Sequence, residues 1–122
     1  MIWAYDLDLL MPPAVPSVGT QLAEQPVERI TTTSTGYYRS VLLKKAFTCI
    51  PQHVHDHAHD TLVCNGRARG WADGEYLGEK EAGEAFEIAA GKRHVFQALE
   101  DNTRLACIHN IESADSVKRK GL

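Results

Sequence analysis

The sequence has no long uninterrupted apolar run. Its longest, Leu9 to Val18, is broken by Pro12, Pro13 and Pro16, which excludes a helix crossing a bilayer. The chain starts Met-Ile-Trp-Ala-Tyr-Asp, with no basic segment, so no secretory signal is expected. A basic stripe is also missing. The formal net charge is -3, and the one basic cluster, Lys118-Arg119-Lys120, reads as a solvated tail rather than a nucleic-acid contact. Cysteine is scarce. Cys49, Cys64 and Cys107 form an odd count without CxxC spacing, which suits free, buried thiols in a reducing cytoplasm. No low-complexity tract is present, nor any repeat with a period of about 20 to 50 residues.

What remains is the composition of an ordinary globular domain. At 122 residues, 43% hydrophobic and 24% charged, the chain can bury a single core. Residues 1–26 carry four of the five prolines and read as an N-terminal arm, in which Trp3, Tyr5, Leu7, Leu9 and Leu10 could dock on the body or on a neighbouring subunit. From Val27 to Ile111 the pattern is β. Val27 to Thr33 is rich in β-branched residues, and Tyr37 to Thr48 reads as one strand. Short strands follow over Thr61 to Cys64, Arg67 to Ala72, Glu75 to Leu77, Ala85 to Ile88, His94 to Leu99 and Thr103 to Ile111. Asn65-Gly66 and Asp73-Gly74 both read as hairpin turns. Residues 112–122 form a C-terminal tail with room for a short helix. Many short strands with Gly and Asn turns predict an all-β sandwich or barrel.

The chemistry is concentrated in histidine. Four of the six fall within seven residues, as His53-Val-His55-Asp-His57-Ala-His59; His94 and His109 stand apart. Imidazole is the commonest transition-metal ligand, and alternate positions on a strand share a face, so several rings can be aimed at one point. The competing reading is an exposed histidine-rich loop without a metal. His109 shares a face with Leu105 and Cys107. It reads either as a satisfied core histidine or as a pocket residue that orients a substrate or acts as general base.

The spacing supports a family resemblance. His53-x-His55, three residues, His59, six residues, Gly66 resembles the first cupin motif, with His59 in the place of its usual Glu. Gly83, five residues, Ala89-Ala90-Gly91-Lys92-Arg93-His94 resembles the second, with Ala89 in the place of its Pro. Phe47 stands where a glycine opens the first motif, and Ala98 where an Asn follows the second. The resemblance covers roughly Arg39 to Asn110. It implies a single-domain jelly-roll β-barrel, two antiparallel sheets with a metal inside one mouth. The implied ligands are His53, His55, His59 and His94, holding one divalent transition metal: Fe, Ni, Zn, Cu or Mn. Without a carboxylate the set is softer and less favourable to Mn(II). His57 falls at a loop position of the motif and is expected beside the ligands or in solvent, the alternative being that it replaces one of them.

Histidine-only ligation is similar to that of cupin dioxygenases acting on thiols or diketones. The resemblance therefore implies a metal-dependent enzyme on a small organic molecule, with dioxygenase-like oxidation first and isomerase or lyase chemistry next. His109 is the catalytic candidate. The alternative is a non-catalytic metal- or ligand-binding cupin, structural or phage-associated. Asp56 and Asp60 could accept from imidazole N–H groups. Phe86, Ile88 and Phe96 read as core, and Arg67, Arg69 and Trp71 as a solvated outer face or, alternatively, an anion-binding wall. Tyr37 and Arg39 share a face, which would meet a substrate carboxylate if it looked into the mouth. A small-molecule ligand, no nucleic acid, no membrane and a homodimer paired through edge strands complete the expectation.

Overall fold

A computed structural model describes residues 12–110. Among these the chain order is α1 (Val18–Leu22), β1 (Val27–Thr33), β2 (Gly36–Leu43), β3 (Cys49–His53), β4 (His59–Asn65), β5 (Arg67–Ala72), β6 (Glu75–Glu81), β7 (Ala85–Ile88), β8 (His94–Ala98) and β9 (Thr103–Asn110). Every strand pair is antiparallel. A five-stranded sheet runs β1-β2-β9-β4-β7 and a four-stranded sheet runs β3-β8-β5-β6. The fold is therefore the expected all-β jelly roll. It is not the closed barrel expected, because no strand pairing among the described residues joins one sheet to the other. No helix of the described residues is long and apolar enough to cross a membrane.

Sequence alternation explains which faces meet. On β9, Thr103, Leu105, Cys107 and His109 are buried while Arg104 and Ile108 are exposed. On β4, His59, Thr61 and Val63 are buried and Asp60 is exposed. Register lines these residues up in rows. Val41, Leu105 and Val63 form one apolar row; Arg39, Cys107, Thr61 and Phe86 form the next; Tyr37 pairs with His109, and His59 with Ile88, at the far end. The facing sheet grades the same way, from Ala68–Ala98 through Gly70–Phe96 to Ala72–His94. The period-2 pattern thus puts the hydrocarbon core at one end of the sandwich and the histidines at the other.

The expected core residues are in place. Phe86, Ile88 and Phe96 are buried with Val41, Leu43, Ile50, Val63 and Leu105. Phe86 and Phe96 meet at 5.0 Å between ring centroids. Gly70 makes room for them, since a Cβ there would stand 2.8 Å from Phe96 Cδ1.

Four local expectations are corrected. Asn65-Gly66 does not close a hairpin, because β4 and β5 lie in different sheets. Gly66 has φ +79°, and a Cβ on it would press to 2.5 Å from Thr103 Oγ1, so this glycine turns the chain tightly between layers. Asp73-Gly74, with φ of 48° and 81°, does close the β5–β6 hairpin. The strand from Tyr37 stops at Leu43 instead of Thr48, because the chain crosses to the second sheet there and Phe47 adopts φ 70°. Cys64 is exposed rather than buried, since it follows the inward Val63 on β4. Trp71 is only 1% exposed, not part of a solvated face.

Residues 12–26 explain that last point. Val15 packs on Cys49, Trp71 and Val95 behind the four-stranded sheet. Trp71 Nε1 donates to the Pro13 carbonyl at 2.8 Å. Ser17 caps α1, accepting from the Thr20 N–H. Gln21 reaches β3 by accepting from the Gln52 N–H at 2.8 Å. The expected contacts of Trp3 to Leu10, and the helix expected after Glu112, lie outside the described residues.

Candidate metal centre

His53 ends β3 and His94 begins β8, and the two are cross-strand partners. Their ring centroids are 4.0 Å apart. His55 lies in the loop beyond β3, edge-on to His53 at 5.1 Å. The Gly91 N–H, in the turn before His94, donates to the His55 carbonyl at 2.8 Å, so the two motif loops are tied by backbone. One ring nitrogen from each of His53, His55 and His94 lies within 4.8 Å of the others. His59, on β4, approaches from the opposite sheet. It meets His55 at 5.1 Å and His94 at 4.9 Å between centroids but stays outside that three-nitrogen group.

Hydrogen bonding fixes two of the rings. His53 Nδ1 lies 2.8 Å from the Pro51 carbonyl and His94 Nδ1 2.9 Å from the Lys92 carbonyl. A carbonyl only accepts, so both Nδ1 atoms carry the proton and both Nε2 atoms present bare lone pairs. Those Nε2 atoms are buried without a partner, as are both ring nitrogens of His59. Buried acceptors without donors are costly. A cation accepting these lone pairs removes that cost, and a backbone-held Nδ1–H is the usual support of a metal-bound imidazole. The residues therefore fit a divalent transition ion bound by nitrogen.

Protonation also favours ligation. Burial pushes His53 and His55 down to about 4, and His59 to about 3. His94 is lowered too, again chiefly by burial. The cationic forms of neighbouring histidines and the Arg39 charge add to the effect on His53 and His55. At neutral pH these rings are free bases, and metal binding need not displace a proton from them.

His57 and His109 sit beside this group. His57 Nε2 and His109 Nδ1 are hydrogen-bonded at 2.8 Å, and His57 Nδ1 lies 3.1 Å from Asp56 Oδ1. His109 stacks on Tyr37 at 4.3 Å and on His59 at 5.0 Å. Burial lowers His109 to about 4. All six histidines thus form one continuous cluster. Asp60 points outward and is exposed. Cys107 is buried behind the cluster and takes a hydrogen bond from Thr61 Oγ1. Sequence reasoning gave no sign of the Gly91–His55 link or of the stacking of Tyr37 on His109. The parity of Tyr37 and His109 on paired strands was visible, but their pairing was not.

No protein-family model matches the chain, and no curated protein matches it. Solved structures do. The structure of KdgF from a Halomonas species aligns at 17% identity and TM-score 0.60, over 73% of this chain and 87% of that one. An RmlC-like cupin with a double-stranded β-helix fold from Methanocaldococcus jannaschii aligns at 10% identity and TM-score 0.61, over 88% and 96%. An oxalate decarboxylase–formate complex from Lactobacillus farciminis aligns at 22% identity and TM-score 0.60, over 70% of this chain but 28% of that one. With two facing antiparallel sheets, both motif loops at one end and these structural likenesses, the chain has the cupin fold.

Proposed function

We propose that the chain is a metal-dependent cupin that acts on a small organic molecule. In this reading His53, His55 and His94 hold one divalent transition ion and His59 supplies a further donor. The chemistry of this reading is dioxygenase-type oxidation, with isomerase or lyase chemistry next. The observation that carries the reading is the pair of backbone-tethered imidazoles, His53 and His94, whose buried Nε2 atoms have no partner. When bound, the ion would supply Lewis acidity and, for iron or copper, a redox couple. The chain's own residues do the rest. Ile88 and Phe86 form the apolar floor beneath the histidines and exclude water. In this reading His109, stacked on Tyr37 and hydrogen-bonded to His57, would be the neutral imidazole that accepts a proton from the substrate. Pairing of two chains through the outer edge of β1 fits the same reading.

His59 supports a second reading. Both of its nitrogens are buried without partners, so it could complete a closed set of four imidazoles around an ion that only stabilises the fold or binds a ligand. Water-proton relaxation of the Cu(II)-loaded protein separates the two. A rapidly exchanging water on the ion is the expected result for an enzyme. A relaxation rate no greater than that of the zinc-loaded protein would replace it with the closed, non-catalytic site.

A further inference from the structure

Tyr38 and Ile108 are cross-strand partners on the outer face of the five-stranded sheet, and both are exposed, at 40% and 42%. Register continues their row through Asp60 on β4 to Glu87 on β7. All four line a cavity of about 910 Å³ at the histidine end of that sheet, with Tyr37 and Ile88 also on its walls. The cavity borders His59 and His109 but not His53, His55 or His94. Its charge is one-sided. Asp60 and Glu87 are directly opposed, and like charges at such a pair repel. Neither is in an ion pair among the described residues, and no lysine or arginine lines the cavity. Lys80 shares an adjoining hollow with the two carboxylates but makes no ion pair there. The cavity is therefore an apolar groove with an acidic rim, and a basic chain carrying a few apolar side chains would complete it.

The sequence supplies such a chain at this place. β9 carries Ile108 and His109 into the cavity wall and ends at Asn110. Residues 111–122, Ile-Glu-Ser-Ala-Asp-Ser-Val-Lys-Arg-Lys-Gly-Leu, follow directly and lie outside the described residues. They hold the one basic cluster of the sequence, Lys118-Arg119-Lys120. The reach is sufficient. β4 neighbours β9 and β7 neighbours β4, so Glu87 stands about 10 Å from β9 at the usual strand spacing. Residues 111–118, fully extended, span roughly 26 Å. That slack leaves Glu112 and Asp115 free to stay clear of the acidic rim.

We infer that residues 111–122 dock in this cavity of their own chain, crossing from β9 over β4 to β7, with Ile111 and Val117 against Ile108 and Tyr38 and residues 118–120 on Asp60 and Glu87. Exposed ion pairs alone hold little, and burial of the two apolar side chains supplies the rest. The chain's own tail is favoured over a neighbour's because it starts in the cavity wall and so has the higher effective concentration. The docked tail is a strap over the His59 and His109 side of the cluster, and a molecule entering from that side has to displace it. The inference stands on the cavity and its charges and does not depend on a bound metal.

Nitrogen-15 relaxation of the full-length, metal-free protein tests it. At low salt the amides of Lys118, Arg119 and Lys120 should show order parameters of about 0.8, close to the folded body, and below about 0.6 in the double variant Asp60→Asn, Glu87→Gln. Both side chains replaced are exposed, so the variant keeps the fold. Salt at about 1 M, where the Debye length is about 3 Å, should loosen the wild-type tail in the same direction. The charge swap, Asp60→Lys and Glu87→Lys combined with Lys118→Glu, Arg119→Glu and Lys120→Glu, should restore the rigid values. Order parameters below about 0.6 in the wild type at low salt would overturn the inference. So would rigid values that persist in the Asn and Gln variant, or no recovery in the charge swap. Tail contacts to Tyr38 and Ile108 that arise only between labelled and unlabelled copies in a mixture would replace the chain's own tail with that of a second copy, which also overturns it.

Discussion

His53 and His94 face each other across the β3–β8 pairing, with ring centroids 4.0 Å apart and each Nδ1 held by a backbone carbonyl two residues earlier in the chain. Two separate motifs thus present the same tautomer to the same space. This is preorganisation. The rings are oriented before any ion arrives, so little side-chain freedom remains to be lost on binding.

The first prediction concerns pH. His53, His55 and His109 are lowered to about 4 and His59 to about 3, from an ordinary value of 6.5. The unfolded chain therefore binds more protons than the folded one between those values, and stability must fall as pH falls. Urea unfolding of the metal-free protein should show a constant midpoint above about pH 7 and a steep decline from pH 6.5 toward pH 4. A flat midpoint across that window would mean that the histidines titrate as exposed groups.

A second prediction lies far from the site. Phe47 adopts φ 70° with its side chain 56% exposed, at the place where the first cupin motif has glycine. Its backbone is fixed on both sides: the N–H donates to Ala98 O at 2.7 Å, and its carbonyl accepts from Gln97 Nε2 at 3.1 Å. A bulky residue in the left-handed region stores about 1 kcal/mol or more, and an exposed ring returns little of it. Phe47→Gly should therefore raise the chemical denaturation free energy by about 1 kcal/mol, despite the loss of an aromatic ring. A loss of stability would show that the Phe47 ring is held by something stronger than its strain.

The third prediction separates the histidines by role. His109 and His57 are hydrogen-bonded to each other, whereas both ring nitrogens of His59 are buried without partners. His59→Ala should lower metal affinity clearly, by about tenfold or more. His109→Phe keeps the stack on Tyr37 and should leave metal content near the wild-type level. Equal losses in the two variants would dissolve the distinction.

Much of this was legible in the sequence, for a definite reason. The β7 strand, Ala85 to Ile88, and β1, Val27 to Thr33, are legible because their apolar and β-branched patterns are local. The two histidine motifs were legible because spacing survives when overall similarity has decayed. Sheet membership was not. Asn65-Gly66 has the composition of a hairpin, but whether it closes one depends on which strands β4 and β5 find across the molecule, and those partners lie far away in sequence. The same holds for Arg39. Its parity with Tyr37 was visible, but its ion pair with Glu28 and its unused Nε–H arise only once β1 and β2 are paired. The helix Val18–Leu22 is not legible, because five residues among prolines carry almost no periodicity; Ser17 as its cap is its one local signal.

The central claim is that His53, His55 and His94 converge on a single ion. Isothermal titration of zinc or nickel into tag-free protein, wild type against His94→Ala, tests it most directly. One ion per chain is predicted for the wild type, with affinity falling about a hundredfold or more in the variant while the far-ultraviolet spectrum is retained. Binding of unchanged strength and stoichiometry in a folded His94→Ala protein would contradict the account.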